Sequence, residues 1–383
     1  MTLTALHFDA PLSGYEQQAD ALLAGWKAGD PNAIRVFRNR HPRFLDDTIP
    51  WLQRHMTDDE VRAVPIDRDD ARLAVARWYE FADWRSLAEY AEAVQHAAPV
   101  ARFERAVEAV IDGDLATLRA LLQDDPELVR ARSTRVNHFD PPMHRATLLH
   151  YLAANGVEGY RQRSPRNAVE VARVLLDAGA DPNALSWAYG GQCTTMALLV
   201  SSTPPAKAGV QGPLVETLVQ GGASLEPAGE GNWTSPVATA LVFGFKDTAD
   251  ALVHLGAKVD KVAVAAGLGR LADVTRLLPS ASADDRHRAL ALAAQLGHPE
   301  IVTLLIDAGE DPNRFNPPGT HAHTPPIHQA VAADHLDVVK VLVNRGARLD
   351  LKDTIHRSTP LGWAEYLEKP DIADYLRSRG APR

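Results

Sequence analysis

The sequence predicts an all-α solenoid: about eight stacked helix–turn–helix units with finger loops between them, preceded by a small helical capping domain. Three observations carry this. Residues 177–183 read DAGADPN and residues 307–313 read DAGEDPN, one motif repeated almost unchanged. Related endings recur at GGASLE from Gly221, LGAKVD from Leu255, RGARLD from Arg345 and RGAPR at the end of the chain. The glycines of these endings, Gly222, Gly256, Gly309, Gly346 and Gly380, are separated by 34, 53, 37 and 34 residues. A fixed period in this range is the mark of a repeat array. The long interval of 53 contains a degenerate unit at 261–283, KVAVAAGLGRLADVTRLLPSASA, which lacks the Gly-Ala ending.

Each element follows from local chemistry. Val171/Val174/Leu175, Ile301/Leu304/Leu305, Val338/Val341/Leu342 and Ile372/Tyr375/Leu376 show the i, i+3, i+4 spacing of one buried helix face. The glycine after each stripe can enter the left-handed region without a Cβ penalty and so stop the helix. Asp-Pro-Asn then turns the chain, because proline fixes φ and asparagine tolerates tight geometry. The other helix of each unit opens at a Thr-Pro or a variant of it: TPPIHQAVAADH from Thr324, TPLGWAEYLEK from Thr359, and weaker forms TLLHYLAANG from Thr147, TTMALLV from Thr194 and SPVATALVFG from Ser235. Units begin near residues 103, 147, 194, 235, 261, 288, 324 and 359.

These openings resemble the T-P-L-H-x-A box of ankyrin repeats, and the period near 33 with a terminal glycine resembles the same family. The resemblance implies that residues 103–383 form an ankyrin-repeat domain whose default function is binding. Residues 1–19 are expected to be flexible and residues 20–98 to form the capping domain. Within it AVARWYEFADWRSLAEYAEAV, from Ala74, reads as helix, turn, helix, with Trp78, Tyr79, Phe81 and Trp84 close enough to knot the two helices together. This piece resembles the helical segment that precedes ankyrin arrays in many bacterial proteins, which implies a bacterial origin. Its expected role is to cover the apolar end of the array.

Composition narrows the function. The chain has 383 residues, 45% of them hydrophobic, and a formal charge of −9. No apolar run reaches the roughly 18 residues of a membrane span. The acidic balance and scattered basic residues argue against nucleic acid and anionic lipid. Cys193 is the only cysteine and the start lacks the pattern of a secretory signal, so a cytoplasmic location is expected. No phosphate loop, dinucleotide fingerprint, GxSxG elbow or HExxH helix occurs, and no cofactor is expected.

Two places exceed a minimal repeat. The first is 132–167, with a long finger carrying His138, Asp140 and His144, and an insertion at 157–167 carrying Glu158, Tyr160 and Arg161. A unit built only to stack needs two or three residues between its helices, so the extra ones call for a reason. Together with YGGQCTTMALL at 189–199, this segment resembles one bacterial branch of ankyrin proteins, a resemblance that implies no activity. The expectation is that finger and insertion meet in one recess, where Arg161 holds a carboxylate or phosphate of a partner. His150 occupies the histidine of the ankyrin box, which implies a structural role between fingers. The second place is THAHTPPIH at 320–328, where His321 and His323 read as exposed finger residues and His328 as another box histidine. Three imidazoles here suggest zinc or copper, but no complete ligand pattern accompanies them, and no metal is expected.

Trp187, Tyr189, Trp233 and Phe315 are expected at finger tips, where aromatics serve as binding anchors. The favoured function is recognition of a protein or peptide on the concave finger and helix face. The alternative is a small-molecule or enzymatic site built on the first finger and the 157–167 insertion.

Overall fold

A computed structural model describes residues 2–49, 51–226 and 235–382. The chain divides into two compact units, Met1–Ala223 and Ser224–Arg383.

The first unit opens with five helices: α1 (Leu12–Lys27), α2 (Pro31–Arg40), α3 (Asp58–Ala63), α4 (Arg68–Trp78) and α5 (Trp84–His96). Their starts are written in the sequence. Asp30 caps α2 by accepting from Asn32 N, and Pro31 occupies its first turn. Thr57 with Glu60, and Asp67 with Asp70, form capping boxes at α3 and α4. The α4–turn–α5 reading is correct, but the four aromatics do not form one knot. Phe81 meets Tyr90, Trp84 lies beside Arg72, and Trp78 and Tyr79 both face Tyr160. The expectation of a flexible 1–19 segment is corrected: α1 begins at Leu12, and Leu3 is buried in the same core as Tyr15, Phe37, Phe44 and Leu87. Tyr79 anchors this start. Its hydroxyl accepts from Leu6 N at 2.9 Å and donates to Gln18 at 3.0 Å.

Helix pairs follow. They are α6 (Ala98–Asp112) with α7 (Leu115–Asp124), α8 (Leu148–Leu152) with α9 (Ala168–Asp177), and α10 (Thr195–Leu199) with α12 (Gln211–Gln220), the last joined through α11 (Thr203–Lys207). The expected boundary at 98–103 falls in the first turns of α6. One feature is not helical. Strands β1 (Leu185–Ala188) and β2 (Gly191–Thr194) pair antiparallel across a two-residue loop, Tyr189-Gly190. Both loop residues have positive φ, 54° and 77°, the backbone a type I′ hairpin demands.

The second unit is a series of five such pairs: α13 (Pro236–Val242) with α14 (Lys246–His254), α15 (Val262–Gly267) with α16 (Leu271–Leu277), α17 (Ala283–Gln295) with α18 (Pro299–Asp307), α19 (Pro326–Ala332) with α20 (Leu336–Asn344), and α21 (Pro360–Tyr366) with α22 (Pro370–Ser378). First helices pack on first helices and, from α16 onward, second helices on second helices, the packing of a helical solenoid. The stripes named above are its core: Ile301, Leu305, Val338, Leu342, Ile372 and Leu376 are all buried. Gly309 and Gly346 turn left-handed after α18 and α20, and the next backbone N–H reaches back to Leu305 O and Leu342 O, closing each helix end. The degenerate unit ends instead in a 3-10 turn, Leu278–Ser280. Among the described residues no helix is long and apolar enough to cross a membrane.

Replacing Tyr79 by Phe removes the hydroxyl that ties Leu6 and Gln18 to α4. The expected loss is ~1–2 kcal/mol in urea unfolding, with faster amide exchange at Leu6. An unchanged midpoint would show that the N-terminal segment is held by packing alone.

Candidate functional site at the first finger and its insertion

The segment singled out in the sequence closes on itself through buried charge. Helix α6 presents Glu104 and Glu108, the finger presents Arg135 and His144, and the insertion presents Glu158 and Arg161, the latter on the 3-10 turn Gly159–Arg161. Arg161 Nη2 lies 2.6 Å from Glu104 Oε2 and 3.1 Å from Glu108 Oε1, with Nη1 3.8 Å from Glu158 Oε2. Arg135 Nε pairs with Glu158 Oε1 at 2.9 Å, and Nη2 donates to Tyr79 O at 3.1 Å. Tyr90 donates to Glu104 at 2.9 Å, and the Arg135 guanidinium rests 4.2 Å from the Phe81 ring centre. Arg161 has no exposed surface, and Glu104, Glu158 and Arg135 are 1%, 3% and 4% exposed.

Such charges are tolerated inside a protein only as partners. Burial pushes the Glu158 carboxyl up, but Arg135, His144 and Arg161 outweigh it and hold it well below the usual carboxylate range. Burial likewise disfavours the charged form of Arg161, and Glu104 and its other neighbours more than restore it. His144 Nδ1 accepts from Ala146 N at 3.0 Å, so its proton sits on Nε2 and points at Glu158, 3.1 Å away. The cluster joins the capping helices, the first helix pair, the finger and the insertion.

This placement corrects three sequence expectations. Arg161, Glu158 and His144 do not face a partner; they are buried and held in ion pairs, Arg161 with Glu104 and His144 with Glu158. Tyr160 is half-buried, its hydroxyl accepting from Arg135 Nη1 at 3.1 Å. His138 is half-buried with its ring 4.1 Å from Phe139, and burial together with Arg77 pushes its pKa down to about 4. Asp140 is exposed. Trp187 is half-buried in the hairpin, its backbone N–H donating to His144 O at 2.7 Å, while Tyr189 is 77% exposed with its hydroxyl on Asn155. Trp233 lies outside the described residues.

The second place is corrected as well. His321 and His323 are half-buried, not exposed. His321 Nε2 donates to Val242 O at 3.1 Å, and the His323 ring lies 6.2 Å from Trp363. His328 Nε2 donates to Ser358 O at 3.1 Å in the following finger. Phe315 is half-buried. Among the described residues no group of three or more His, Cys, Asp or Glu is placed to hold a metal ion.

Sequence reasoning missed Glu104, Arg135 and Phe139. Glu104 had a signal: it sits between Phe103 and Ala106/Val107 on the apolar side of α6, with Glu108 one turn on, and a carboxylate pair there requires a cation. Phe139 is 57% exposed at the tip of the first finger.

One prediction concerns the cluster and a second the box histidine beside it. Arg161→Met leaves Glu104 and Glu158 short of a buried cation and costs ~3–5 kcal/mol in urea unfolding, with Arg161→Lys falling between it and wild type because an ammonium lacks the guanidinium fork. A midpoint within about 0.5 kcal/mol of wild type for Arg161→Met would show the pairs to be incidental. The second concerns pH. His150 is fully buried, its Nδ1 accepting from Thr147 N, and burial lowers its pKa to about 4. The unfolded imidazole titrates near 6.5, so between the two values the unfolded chain binds the extra proton. Stability therefore falls as pH drops from about 6.5 to about 4, by up to about 1.4 kcal/mol per unit for this group. Denaturant midpoints measured across that window should flatten in His150→Gln; an equally steep fall in the variant would assign the dependence elsewhere.

Comparison with known proteins fits this architecture. A model of three ankyrin repeats matches residues 290–382, and a single ankyrin-repeat model matches 144–187. Human cyclin-dependent kinase inhibitor 2A is 35% identical over 124 residues, 31% of this chain and 76% of the inhibitor. Human cyclin-dependent kinase 4 inhibitor B is 33% identical over 129 residues, 32% of this chain and 89% of the inhibitor. Mouse ankyrin repeat and SAM domain-containing protein 6 is 32% identical over 108 residues, 28% of this chain but only 12% of that protein. These relatives are eukaryotic, and the expected bacterial origin finds no support among them. The repeats and the inhibitor relatives support a role in protein–protein interaction. Helix pairs closed by left-handed glycines, the box histidine His328 bonded to the next finger and relatives matched over most of their length agree, and the chain belongs to the ankyrin-repeat family.

Proposed function

We propose that this protein is a cytoplasmic binding protein that recognises a protein or peptide on the concave face of its fingers and helices, anchored in the first unit by the tips of the first two fingers. One observation carries the reading. Phe139 and Tyr189 are 57% and 77% exposed on neighbouring fingers that are bonded together through Trp187 N and His144 O. Large rings held out on a rigid support are efficient anchors, since little entropy is lost when they are covered. Tyr189 has a φ of 54°, a conformation that glycine or asparagine adopts more easily. A bulky ring at such a position points to a use for the side chain. Asp140 and Trp187 belong to the same proposed surface, and Phe315, His321 and His323 to the finger surface of the second unit.

Support for a protein partner also comes from the relatives named as kinase inhibitors, whose names state an action on another protein. An enzymatic site on the first finger has less behind it. The arginine and carboxylate that would bind and react are instead paired inside the fold.

The test is affinity capture from native lysate with wild type and with Phe139→Ala/Tyr189→Ala, the fold of each checked by circular dichroism. The double variant should lose a retained protein and keep its melting temperature, because both side chains are exposed. Retention of the same proteins at the same yield would overturn the reading.

A further inference from the structure

Helix α2 carries a second, unrelated feature. Asn32, Arg35, Val36, Asn39 and Arg40 are spaced i, i+3, i+4, i+7 and i+8, so they share one face of the helix. That face, together with Thr2, Leu3 and Trp78, lines a cavity of about 150 Å³, room for about five waters.

Beside the hydroxyl of Thr2, the polar side chains that line this cavity are two arginines and two asparagines. Arg35 Nη2 donates to Asn32 Oδ1 at 2.7 Å, and Gln53 Nε2 donates to Asn39 Oδ1 at 2.5 Å. Each amide oxygen thus already accepts one bond, and the NH₂ group of each asparagine is left to donate. Arginine has no acceptor at all. Among the described residues, no carboxylate lies within 4.0 Å of Arg35, which is exposed. Among the described residues Arg40 has one acidic neighbour, Glu80, at 3.9 Å, a separation too long for a hydrogen bond. Two guanidinium groups and two amide NH₂ groups lining one cavity suit a ligand that only accepts. Val36 and Trp78 add an apolar side, suited to a short carbon stem.

We propose that this cavity is a binding site for an oxyanion group, phosphate or carboxylate, held between Arg35 and Arg40. The group arrives either on a free small molecule or on an acidic side chain of a protein partner. The site is independent of the finger surface and shares no residue with it.

Isothermal titration of the full chain tests this with three probes, inorganic phosphate, succinate and a glutamate-rich peptide, all at one ionic strength set with chloride. Arg35→Gln and Arg40→Gln are compared with wild type and with Arg62→Gln, an exposed arginine outside this cavity. Saturable binding of at least one probe is expected, weakened at least tenfold in Arg35→Gln, unchanged in Arg62→Gln. Arg35 is exposed, so its variant should fold even if Arg40→Gln, which loses Glu80, is less stable. Binding of phosphate or succinate at least as tight as the peptide assigns the site to a small molecule. Peptide binding tenfold tighter than either, and displaced by phosphate, assigns it to a partner's acidic side chain. Binding of none of the three, or binding lost equally in Arg62→Gln or unaffected in Arg35→Gln, overturns the proposal.

Discussion

The first unit depends on one electrostatic constraint: Glu104, Arg135, Glu158 and Arg161 have left water together and can remain charged only together. They come from three pieces of chain, helix α6, the finger and the insertion, so the pairing sets the geometry of all three. Glu104 lies on α6, which α5 packs against through Tyr90. Arg135 reaches back to the Tyr79 carbonyl at the end of α4. Arg161 and Glu158 draw the insertion down onto this base. The insertion is the bolt of a junction, and that answers why a repeat unit should carry extra residues between its helices.

The repeats themselves were legible because their signals are local. A stripe at i, i+3, i+4 and the glycine that ends it lie within a dozen residues, and each can be read without knowing the rest of the fold. The charge cluster was not legible in the same way. Arg161 finds Glu104 across the whole first finger, and an arginine beside a tyrosine in an insertion reads equally well as a binding pair or a buried one. The amphipathic pattern of α6 held the missing hint, a glutamate on its apolar side. The β1–β2 hairpin escaped for another reason: Tyr-Gly is a weaker I′ signal than Asn-Gly, because tyrosine enters the left-handed region at a cost. At the candidate surface, Tyr189 was legible as an exposed tip, whereas His321 and His323 were not legible as half-buried, since their exposure depends on how one finger folds over its neighbours.

The histidines show how neighbouring repeats are kept in register. His328 reaches the Ser358 carbonyl of the next finger, and His298 reaches the Gly267 carbonyl of the preceding inter-helix turn. His287 stands between the Glu310 carboxylate and the Arg314 carbonyl. The His298 bond links one repeat to the one before it, and those of His328 and His287 tie a first helix to the finger that leads into the next repeat, so cohesion in the array is built from near-neighbour terms. Burial pushes His298 and His328 below the ordinary imidazole range, which keeps these rings neutral and their single N–H directed at a carbonyl.

The bolt also governs how the sequence can drift. Outside the junction, a repeat can lose or gain a surface charge with little penalty. Inside it, no one of the four charges can be lost alone, because each deletion strands a partner away from water. Discarding the insertion removes Glu158 and Arg161 together, one charge of each sign, and leaves Glu104 and Arg135 to pair with each other across 3.8 Å, so homologues without the insertion should keep both of those charges or lose both.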